Sequence, residues 1–309
     1  MKTINLFSDF FIIFFIFKCF WSVFIKRIIN ITKIYDLNLF YLIIYNNTYY
    51  IFIKMLNILI PMAGKGSRFS KANYKKPKPL IEINGKTMIE LVIKNLTPKV
   101  PHKFIFVVQK KHSEKYNLKE LLSNLTTDPI IKEIDFITDG AASTVMEAEK
   151  YINNDQSLMI ANSDQWIDIK IDDYLNSWDK SKYAGYIMTM KAEDPKWSYI
   201  RFGAEGKILD VVEKEVISDE ATVGIYNFNK GKLFCDYARK MIENKDFSKG
   251  EYYVAPVYKY LIKDGFKVGL FNINNDGGGN MYGLGTPDDL NIFLENFSNR
   301  LEINPINIK

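Results

Sequence analysis

From Met55 onward, short apolar runs alternate along the chain with amphipathic stretches. The apolar runs are typical of buried strands, and apolar residues spaced three and four apart are typical of helices packed on a sheet. Their alternation predicts βαβ units and a mainly parallel sheet flanked by helices. The predicted strands are residues 57–62, 103–109, 133–137 and 157–162, and the predicted helices are residues 87–96, 118–125, 143–151, 231–243, 253–263 and 286–297.

Between residues 183 and 228 the pattern changes to strands joined by short turns. Strands of this kind pair in hairpins, so they predict an antiparallel portion that builds one wall of a cleft. Residues 55–309 show no internal repeat and no long linker, so we expect them to form one α/β domain rather than two. The predicted antiparallel strands are residues 183–191, 199–202, 208–213 and 221–228.

Residues 1–54 differ from the rest in composition, because Phe, Ile, Lys, Asn and Tyr make up most of them. Residues 10–25 form an apolar run that is a little short for a membrane-spanning helix, and the basic pair Lys26–Arg27 follows it. The segment lacks helical or strand periodicity, and Met55 directly precedes the first predicted strand. We therefore expect a dispensable or non-native extension, with a membrane anchor and an interaction segment as alternatives.

The chain has 41 Lys and Arg residues against 36 Asp and Glu residues, and most of the surplus lies in residues 1–54. The remainder is close to neutral, which disfavours a nucleic-acid partner. The two cysteines, Cys19 and Cys235, are too few for a disulfide framework, so we expect a reducing, cytoplasmic location. His102 and His112 lack the companions of a zinc site, and we expect them on the surface.

A glycine-rich, basic loop with the sequence AGKGSRF follows the first predicted strand. Its glycines expose backbone N–H groups to a phosphate, and its basic side chains supply counter-charge, so the loop predicts a phosphate site. It is neither a P-loop nor a dinucleotide fingerprint, which need Lys-Ser/Thr and a third glycine respectively. A tight loop without a ligand is the alternative. The loop residues are Ala63, Gly64, Lys65, Gly66, Ser67 and Arg68.

Two further polar segments carry candidate chemistry. In Lys76-Pro77-Lys78-Pro79 the prolines stiffen the backbone and so preset the direction of Lys78. The predicted strand 157–162 leads to Asp164, and a carboxylate at a strand end suits Mg²⁺. A solvated lysine-rich loop and a turn-forming aspartate are the plainer interpretations of these segments.

The combination of AGKGSRF, KPKPLIEINGKTMIE and an apolar strand leading to Asp164 resembles the sugar-phosphate nucleotidyltransferase family. The resemblance covers residues 55–297, and its specificity lies in the combination of motifs. It implies a Rossmann-like, GT-A-type α/β fold. It also implies transfer of a nucleotidyl group from an NTP to a phosphorylated acceptor, with release of pyrophosphate. Such a reaction needs cationic groups because negative charge grows on the phosphoryl oxygens.

The resemblance implies that Arg68, Lys78 and Asp164 are the catalytic residues, and that Asp164 binds a Mg²⁺ cofactor. Residues 139–144 resemble the segment that holds the nucleobase, for which a plain helix N-cap by Ser143 is the alternative. The implied nucleotide-binding residues are Ala63, Gly64, Lys65, Gly66, Ser67, Gly140, Ala141, Ala142 and Ser143.

A second set of residues resembles the acceptor site of the family. Glu213 and Lys214 match a Glu-Lys pair that binds the acceptor, for which an ordinary surface ion pair is the alternative. The strand that follows matches one that lines the acceptor pocket. The implied acceptor-binding residues are Glu213, Lys214, Gly224, Tyr226 and Asn227.

One position departs from the family pattern. Many relatives carry a second metal-binding aspartate two residues before a Gly-Thr-Pro turn, and this chain has Gly283 there. Asp276 or Asn280, in the glycine-rich stretch just before it, are the candidates for the second ligand.

The implied partners are an NTP and a small phosphorylated substrate, with a sugar 1-phosphate as the expected acceptor and nucleotide-sugar or polysaccharide biosynthesis as the expected context. Three alternatives stay open: a cytidylyltransferase for a non-sugar phosphate such as phosphocholine, a GT-A-like glycosyltransferase and a non-catalytic nucleotide-binding module. Membrane contact is expected only if residues 10–25 are native. The sequence predicts neither the nucleobase nor the oligomeric state.

Overall fold

The structure, a computed structural model, describes residues 40–45, 48–53 and 55–303, with side chains from residue 55 to residue 296. The chain divides into two compact units, Met1–Lys54 and Met55–Lys309. In the first unit, strands β1 (Phe40–Tyr45) and β2 (Thr48–Ile53) pair in an antiparallel hairpin. The apolar run at residues 10–25 lies outside the described residues. In the part that is described, no helix is long and apolar enough to cross a membrane.

The second unit contains the strands and helices that build the site. Its strands are β3 (Leu56–Pro61), β4 (Glu82–Ile83), β5 (Lys86–Thr87), β6 (His102–Gln109), β7 (Ile130–Ile134), β8 (Ser157–Ala161), β9 (Gln165–Ile167), β10 (Gly185–Lys191), β11 (Ser198–Phe202), β12 (Ile208–Glu213), β13 (Glu220–Phe228), β14 (Val268–Asn272) and β15 (Met281–Gly283). Its α-helices are α1 (Ser67–Lys71), α2 (Met88–Leu96), α3 (Lys110–Tyr116), α4 (Leu118–Leu125), α5 (Ala141–Met146), α6 (Glu149–Ile152), α7 (Ile171–Ser177), α8 (Gly231–Glu243), α9 (Val257–Lys263) and α10 (Pro287–Ile303). Short 3₁₀ turns lie at Lys78–Leu80 and Ala204–Gly206.

A mixed sheet of nine strands forms the centre of this unit. Its main order is β12-β11-β13-β8-β3-β6-β7, and β10 and β14 join it beside β13. Strand β3 runs parallel to β6 and β8, and β6 runs parallel to β7. Strand β13 runs antiparallel to β8, β10 and β11, and β12 runs antiparallel to β11. The prediction of an α/β fold with a mixed sheet and an antiparallel portion is confirmed.

Helices cover both faces of the sheet because the central strands are apolar on both faces. Along β3, Ile58 and Ile60 belong to one buried cluster, whereas Leu59 belongs to the other. Helix α2 packs on the first cluster, and α8 packs on the second. Cys235 of α8 lies inside the second cluster, and burial raises the pKa of its thiol to about 12. A thiol that stays protonated at neutral pH acts as a packing group.

A third buried cluster fastens the closing helix α10 beside the loop that follows β3. Leu290 and Phe293 of α10 pack with Phe69 of α1 and Met88 of α2. In the same region β15 pairs antiparallel with β9, which follows β8 almost directly. These contacts bring the region 281–289 to the end of β8, from a distant part of the sequence.

Several predicted elements have different bounds in the structure, and three of them bear on the site. Strand β7 ends at Ile134, so the remainder of the predicted strand 133–137 is loop. The predicted helix 143–151 is divided into α5 and α6, because the backbone at Ala148 departs from helical geometry. The predicted helix 253–263 begins only at Val257, after Pro256, whose fixed φ suits a helix start.

Candidate active site

A cleft of about 1120 Å³ opens where β3 and β8 end. We call the part lined by residues 64–70, 74–79, 138–141 and 144 the loop side. The part lined by residues 196–198, 213–214, 222, 224 and 226 is the strand side. Strand β8 lies between β3 and β13 in the sheet, so the residues that follow β8 lie between the two sides. This placement agrees with the rule that open α/β sheets bind ligands at the carboxyl ends of their strands.

The glycine-rich loop of the loop side is held from below by a buried glutamine. Gln109 Nε2 donates hydrogen bonds to the carbonyl oxygens of Ala63 and Gly64, both at 2.9 Å. Gly64 and the three residues Lys65, Ser67 and Arg68 are exposed to the cleft, as the sequence predicts. Ala63 is also predicted to bind the nucleotide, and this is corrected for its side chain, which is only 1% exposed and packs in the core below the loop.

Lys78 and Asp164 form an ion pair in the cleft, with 2.7 Å between Lys78 Nζ and Asp164 Oδ2. Lys78 begins the 3₁₀ turn after Pro77, and Gly66 of the loop packs against it. Asp164 is held by its backbone, since its carbonyl oxygen accepts a hydrogen bond from Leu284 N at 2.8 Å. Both side chains are about one-fifth exposed, at 23% and 18%, so the pair is accessible to a ligand but partly shielded from water.

The segment that precedes α5 is fixed to a distant part of the chain. Ala142 N donates to Tyr252 O at 2.9 Å, and Tyr252 N donates to Asp139 O at 2.7 Å. Gly140 lies between these bonds with φ 120°, and a Cβ atom there would lie 2.5 Å from Tyr252 O. Only glycine satisfies both the backbone angle and the close approach. Gly140 and Ala141 therefore face the cleft in a fixed position.

Two residues of this segment do not face the cleft as predicted. Ala142 is fully buried, and its side chain belongs to the same buried cluster as Ala63, on the face of the sheet that α8 covers. Ser143 is not among the residues that line the cleft. The alternative role of Ser143 as a helix N-cap is also wrong, because α5 begins at Ala141 with Gly140 as its N-cap. A helical turn rotates these side chains away from the face that Gly140 and Ala141 present.

Glu213 and Lys214 lie at the end of β12 on the strand side. The Glu213 carboxylate accepts a hydrogen bond from Ser198 Oγ, and burial raises the pKa of this carboxyl above its usual value. Lys214 Nζ is hydrogen-bonded to the Tyr253 hydroxyl and lies 4.2 Å from the centroid of its ring. The two side chains thus bind different partners, which does not support the alternative of a simple ion pair.

Strand β13 presents alternate residues to the strand side. Tyr226 lines the cleft, and its hydroxyl is 2.9 Å from Thr222 Oγ1 on the same face. Asn227 points to the other face, is fully buried, and accepts a hydrogen bond from Tyr174 OH at 3.2 Å. The prediction that Asn227 lines the acceptor pocket is therefore corrected by the period of two along a strand. Gly224 lines the cleft as predicted.

A further carboxylate of the cleft comes from a residue that the sequence analysis does not name. Asp289, in the first turn of α10, lines the cleft, and its Oδ2 lies 3.5 Å from the position a Cβ would take at Gly283. It also pairs with Lys196 at 3.3 Å. Asp276 instead accepts a hydrogen bond from Asn272 N at 2.8 Å and does not line the cleft.

Asn280 also belongs to the glycine-rich turn, since its Oδ1 accepts a hydrogen bond from Asn274 Nδ2 at 3.2 Å. Neither candidate for the second ligand therefore occupies the cleft. An acidic residue in a first helical turn is ordinarily explained by the helix dipole, which is why the sequence pattern does not single out Asp289.

Several other cleft residues depend on tertiary contacts that the sequence pattern does not reveal. His112, expected as a plain surface residue, lines the loop side, and its pKa is lowered by partial burial and then by Lys111 and Lys115. His102 does not line the cleft, and its Nδ1 lies 2.8 Å from Val100 O near the start of β6. The remaining cleft residues that the sequence analysis does not name include Lys196, Trp197, Ser198, Lys249, Tyr253 and Gln165.

The mixed sheet and the cleft, in which a basic glycine-rich loop lies beside the Lys78–Asp164 pair, are typical of α/β proteins that bind nucleotides. Residues 58–266 match the family model described as nucleotidyl transferase, and the chain belongs to that family.

Curated relatives are bifunctional proteins named GlmU. The chain is 27% identical over 213 residues to the one from Methanocaldococcus jannaschii, covering 68% of this chain and 47% of that protein. It is 29% identical over 228 residues to the one from Lactobacillus gasseri, covering 70% of this chain and 46% of that protein. The chain thus spans about half the length of the curated relatives it matches.

Solved structures share the fold. A nucleoside-diphosphate-sugar pyrophosphorylase from Vibrio cholerae RC9 superposes with a TM-score of 0.63 at 26% identity, over 77% of this chain and 99% of that chain. The inositol-1-phosphate CTP transferase from T. maritima superposes with a TM-score of 0.63 at 15% identity, over 81% of this chain and 97% of that chain. The second likeness shows the fold alone.

Proposed function

We propose that the chain transfers a nucleoside monophosphate from an NTP to the phosphate of a small acceptor and releases pyrophosphate. The observation that carries this proposal is the Lys78–Asp164 pair, which lies between the basic loop and the pocket of Glu213 and Lys214. A sugar 1-phosphate is the proposed acceptor class. The similarity to a protein named nucleoside-diphosphate-sugar pyrophosphorylase supports this choice.

In the proposed reaction, an oxygen of the acceptor phosphate attacks the α-phosphorus of the NTP. A new P–O bond forms while the bond between the α-phosphorus and the α,β-bridging oxygen breaks, and pyrophosphate leaves with that electron pair. Backbone N–H groups of residues 64–68, with Lys65, Arg68 and Lys78, would hold the phosphates and offset their growing charge. The acceptor phosphate is already an anion, so positioning and charge stabilisation suffice without a general base.

A Mg²⁺ ion fits the donor set of this cleft, because hard cations prefer carboxylate oxygens. Asp164 would hold the ion, since a bound triphosphate offers Lys78 another anion and leaves the Asp164 carboxylate facing the phosphates. Asp289 is the proposed second protein ligand. Among the described residues no group of three or more potential ligands occurs, so phosphate oxygens and water would complete the shell. When bound, Mg²⁺ would neutralise phosphate charge.

The alternatives differ in what they ask of the cleft. A GT-A-like glycosyltransferase would bind a nucleoside diphosphate sugar, and the basic loop with Lys65 and Arg68 suits the larger charge of a triphosphate. A non-catalytic module would not need the Lys78–Asp164 pair. Cytidylyl transfer to a non-sugar phosphate uses the same chemistry and differs only in the acceptor, so the acceptor screen decides it.

The test is pyrophosphate release from the four NTPs against a panel of sugar 1-phosphates, inositol 1-phosphate and phosphocholine. We expect Asp164→Asn and Lys78→Ala each to lower kcat/KM by about 100-fold or more, because each removes a charge that acts on the phosphates. The exposed residues Asp288 and Lys71 lie outside the cleft and provide matched controls, Asp288→Asn and Lys71→Ala. Release within twofold of wild type by both cleft variants, with normal thermal melting, would contradict the proposal.

A further inference from the structure

Gln165 carries a buried hydrogen-bond donor that has no protein partner. The residue follows Asp164 directly, begins β9 and is only 4% exposed. Its backbone pairs with Gly283 of β15, but its side-chain Nε2 is buried and finds no acceptor among the described residues. An N–H group buried in this way costs folding free energy, because water no longer satisfies it and no protein acceptor replaces the water.

The amide of Gln165 lies on the strand side of the cleft. Gly224 of β13 has φ 82°, and a Cβ atom there would overlap Gln165 Oε1 and Asn162 Nδ2. The missing side chain at Gly224 therefore makes room for both amides beside Tyr226, which lines the same pocket two residues further along β13. Gly224 contributes to this pocket by the space it leaves.

Other glutamine and asparagine amides do not share this combination of features. Gln109 Nε2 is also buried, but it donates to two backbone carbonyl oxygens and has a structural role. Asn227 Nδ2 and Asn229 Oδ1 are buried without a partner, yet neither residue lines the cleft. Gln165 is thus a residue of the cleft whose buried Nε2 has no acceptor among the described residues, and a half-turn of its terminal amide would bring Nε2 to the place beside Gly224 that Oε1 occupies.

We propose that Gln165 Nε2 donates a hydrogen bond to an oxygen of the acceptor outside its reacting phosphate. This inference rests on the proposed function and narrows its acceptor class. The acceptor then carries a hydroxyl or carbonyl oxygen that faces Gln165, as sugar phosphates do. Phosphocholine offers only a trimethylammonium group beyond its phosphate, and that group has no lone pair for the amide. Gln165 would therefore select oxygen-bearing acceptors.

The test compares Gln165→Met, which keeps the length of the side chain and removes the amide, with Gln156→Met. Gln156 lies just before β8, at the opposite end of that strand from the cleft, and its Oε1 accepts a hydrogen bond from Met55 N. The acceptor probes are glucose 1-phosphate, N-acetylglucosamine 1-phosphate, inositol 1-phosphate and phosphocholine, each with the NTP that releases most pyrophosphate. Wild type is expected to prefer an oxygen-bearing probe to phosphocholine.

Gln165→Met is expected to raise KM for that oxygen-bearing probe about tenfold while KM for the NTP stays unchanged. It is also expected to raise Tm of the free protein by about 2–4 °C, because the buried unpaired donor is gone. If Gln165 had a merely structural role, its replacement would lower Tm. Gln156→Met is expected to leave both KM values unchanged.

Two failures are distinguishable. In the first, wild type releases pyrophosphate, but Gln165→Met leaves the acceptor KM unchanged or lowers Tm, or wild type prefers phosphocholine. Any of these results means that this inference is wrong and that the proposed function stands. If wild type releases no pyrophosphate with any pair of substrates, the proposed function itself is wrong, and the inference that rests on it falls too.

Discussion

At the scale of single residues, two carboxylates reach the cleft from different elements and each is paired with a lysine. Asp164 pairs with Lys78 at 2.7 Å, and Asp289 pairs with Lys196 at 3.3 Å. In the proposed reaction the phosphates of an NTP would compete for those lysines, and both carboxylates would then become available to a cation. Because Asp289 lies beside Gly283, it is the proposed substitute, from a helix, for the carboxylate that this strand position lacks.

We therefore predict that Asp289→Asn weakens divalent-cation binding about tenfold or more, since a ligating oxygen loses its charge. Mn²⁺ serves as the probe with inorganic triphosphate present, and the free ion is counted by electron paramagnetic resonance. The adjacent, exposed Asp288 gives the control Asp288→Asn. Adding Gly283→Asp to Asp289→Asn is expected to restore binding. Wild-type affinity in Asp289→Asn would show that this carboxylate does not hold the ion.

The sequence predicts residues best where one local motif contains them, as in the loop 64–68 and at Lys78. The prediction fails where the position of a residue along its strand or helix decides whether its side chain faces the cleft or the core, as at Asn227 on β13 and Ala142 in α5. It also fails where a partner is far away in the chain. Asp289 and Gln165 carry ordinary local signals, and only the pairing of β9 with β15 brings them to one cleft.

At the scale of elements, the start of α5 is fixed by the segment around Tyr252. Two backbone hydrogen bonds join them, and Gly140 adopts a φ of 120° directly against Tyr252 O. This contact sets where the proposed nucleobase segment lies relative to the basic loop. The segment is therefore positioned by tertiary contact rather than by helix capping, as the missing side-chain cap of α5 indicates.

We predict that Gly140→Ala lowers the free energy of unfolding by about 2 kcal/mol more than Gly265→Ala does. Both glycines have positive φ values, 120° and 87°, but a Cβ at Gly265 meets open space. The difference therefore reports the steric clash with Tyr252 together with the extended, glycine-only backbone of Gly140, whose ψ is 178°. A strained backbone angle alone costs about 1–3 kcal/mol for a non-glycine residue. Urea denaturation measures both. Equal losses would mean that the segment shifts without cost.

Long, periodic elements such as α8 and β13 follow from the sequence pattern, because many buried positions contribute to each period. The elements β4, β5, β9 and β15 do not, since two or three residues are too few to show a period. Their pairing energy comes from partners that local sequence does not identify. The site depends on two of these short strands, which is why the place of Asp289 in it could not be predicted.

At the scale of the whole molecule, the sheet changes character at β8. Its parallel half, with β3 and β6, supports the loop side, and its antiparallel half, with β11, β12 and β13, supports the strand side. Asp164 follows the strand at which the two halves meet. A two-substrate cleft with a triphosphate on one side and a phosphorylated acceptor on the other is the proposal that uses both halves.

The central claim is that the α-phosphoryl group of an NTP moves to the acceptor phosphate. Its most direct measurement uses the full chain with NTP labelled at the α- or the γ-phosphorus, together with the best acceptor of the screen. The account predicts that the α-label appears in the product joined to the acceptor and that the γ-label appears only in pyrophosphate. A γ-label on the acceptor, or release of free nucleoside diphosphate from a nucleotide sugar, would contradict it.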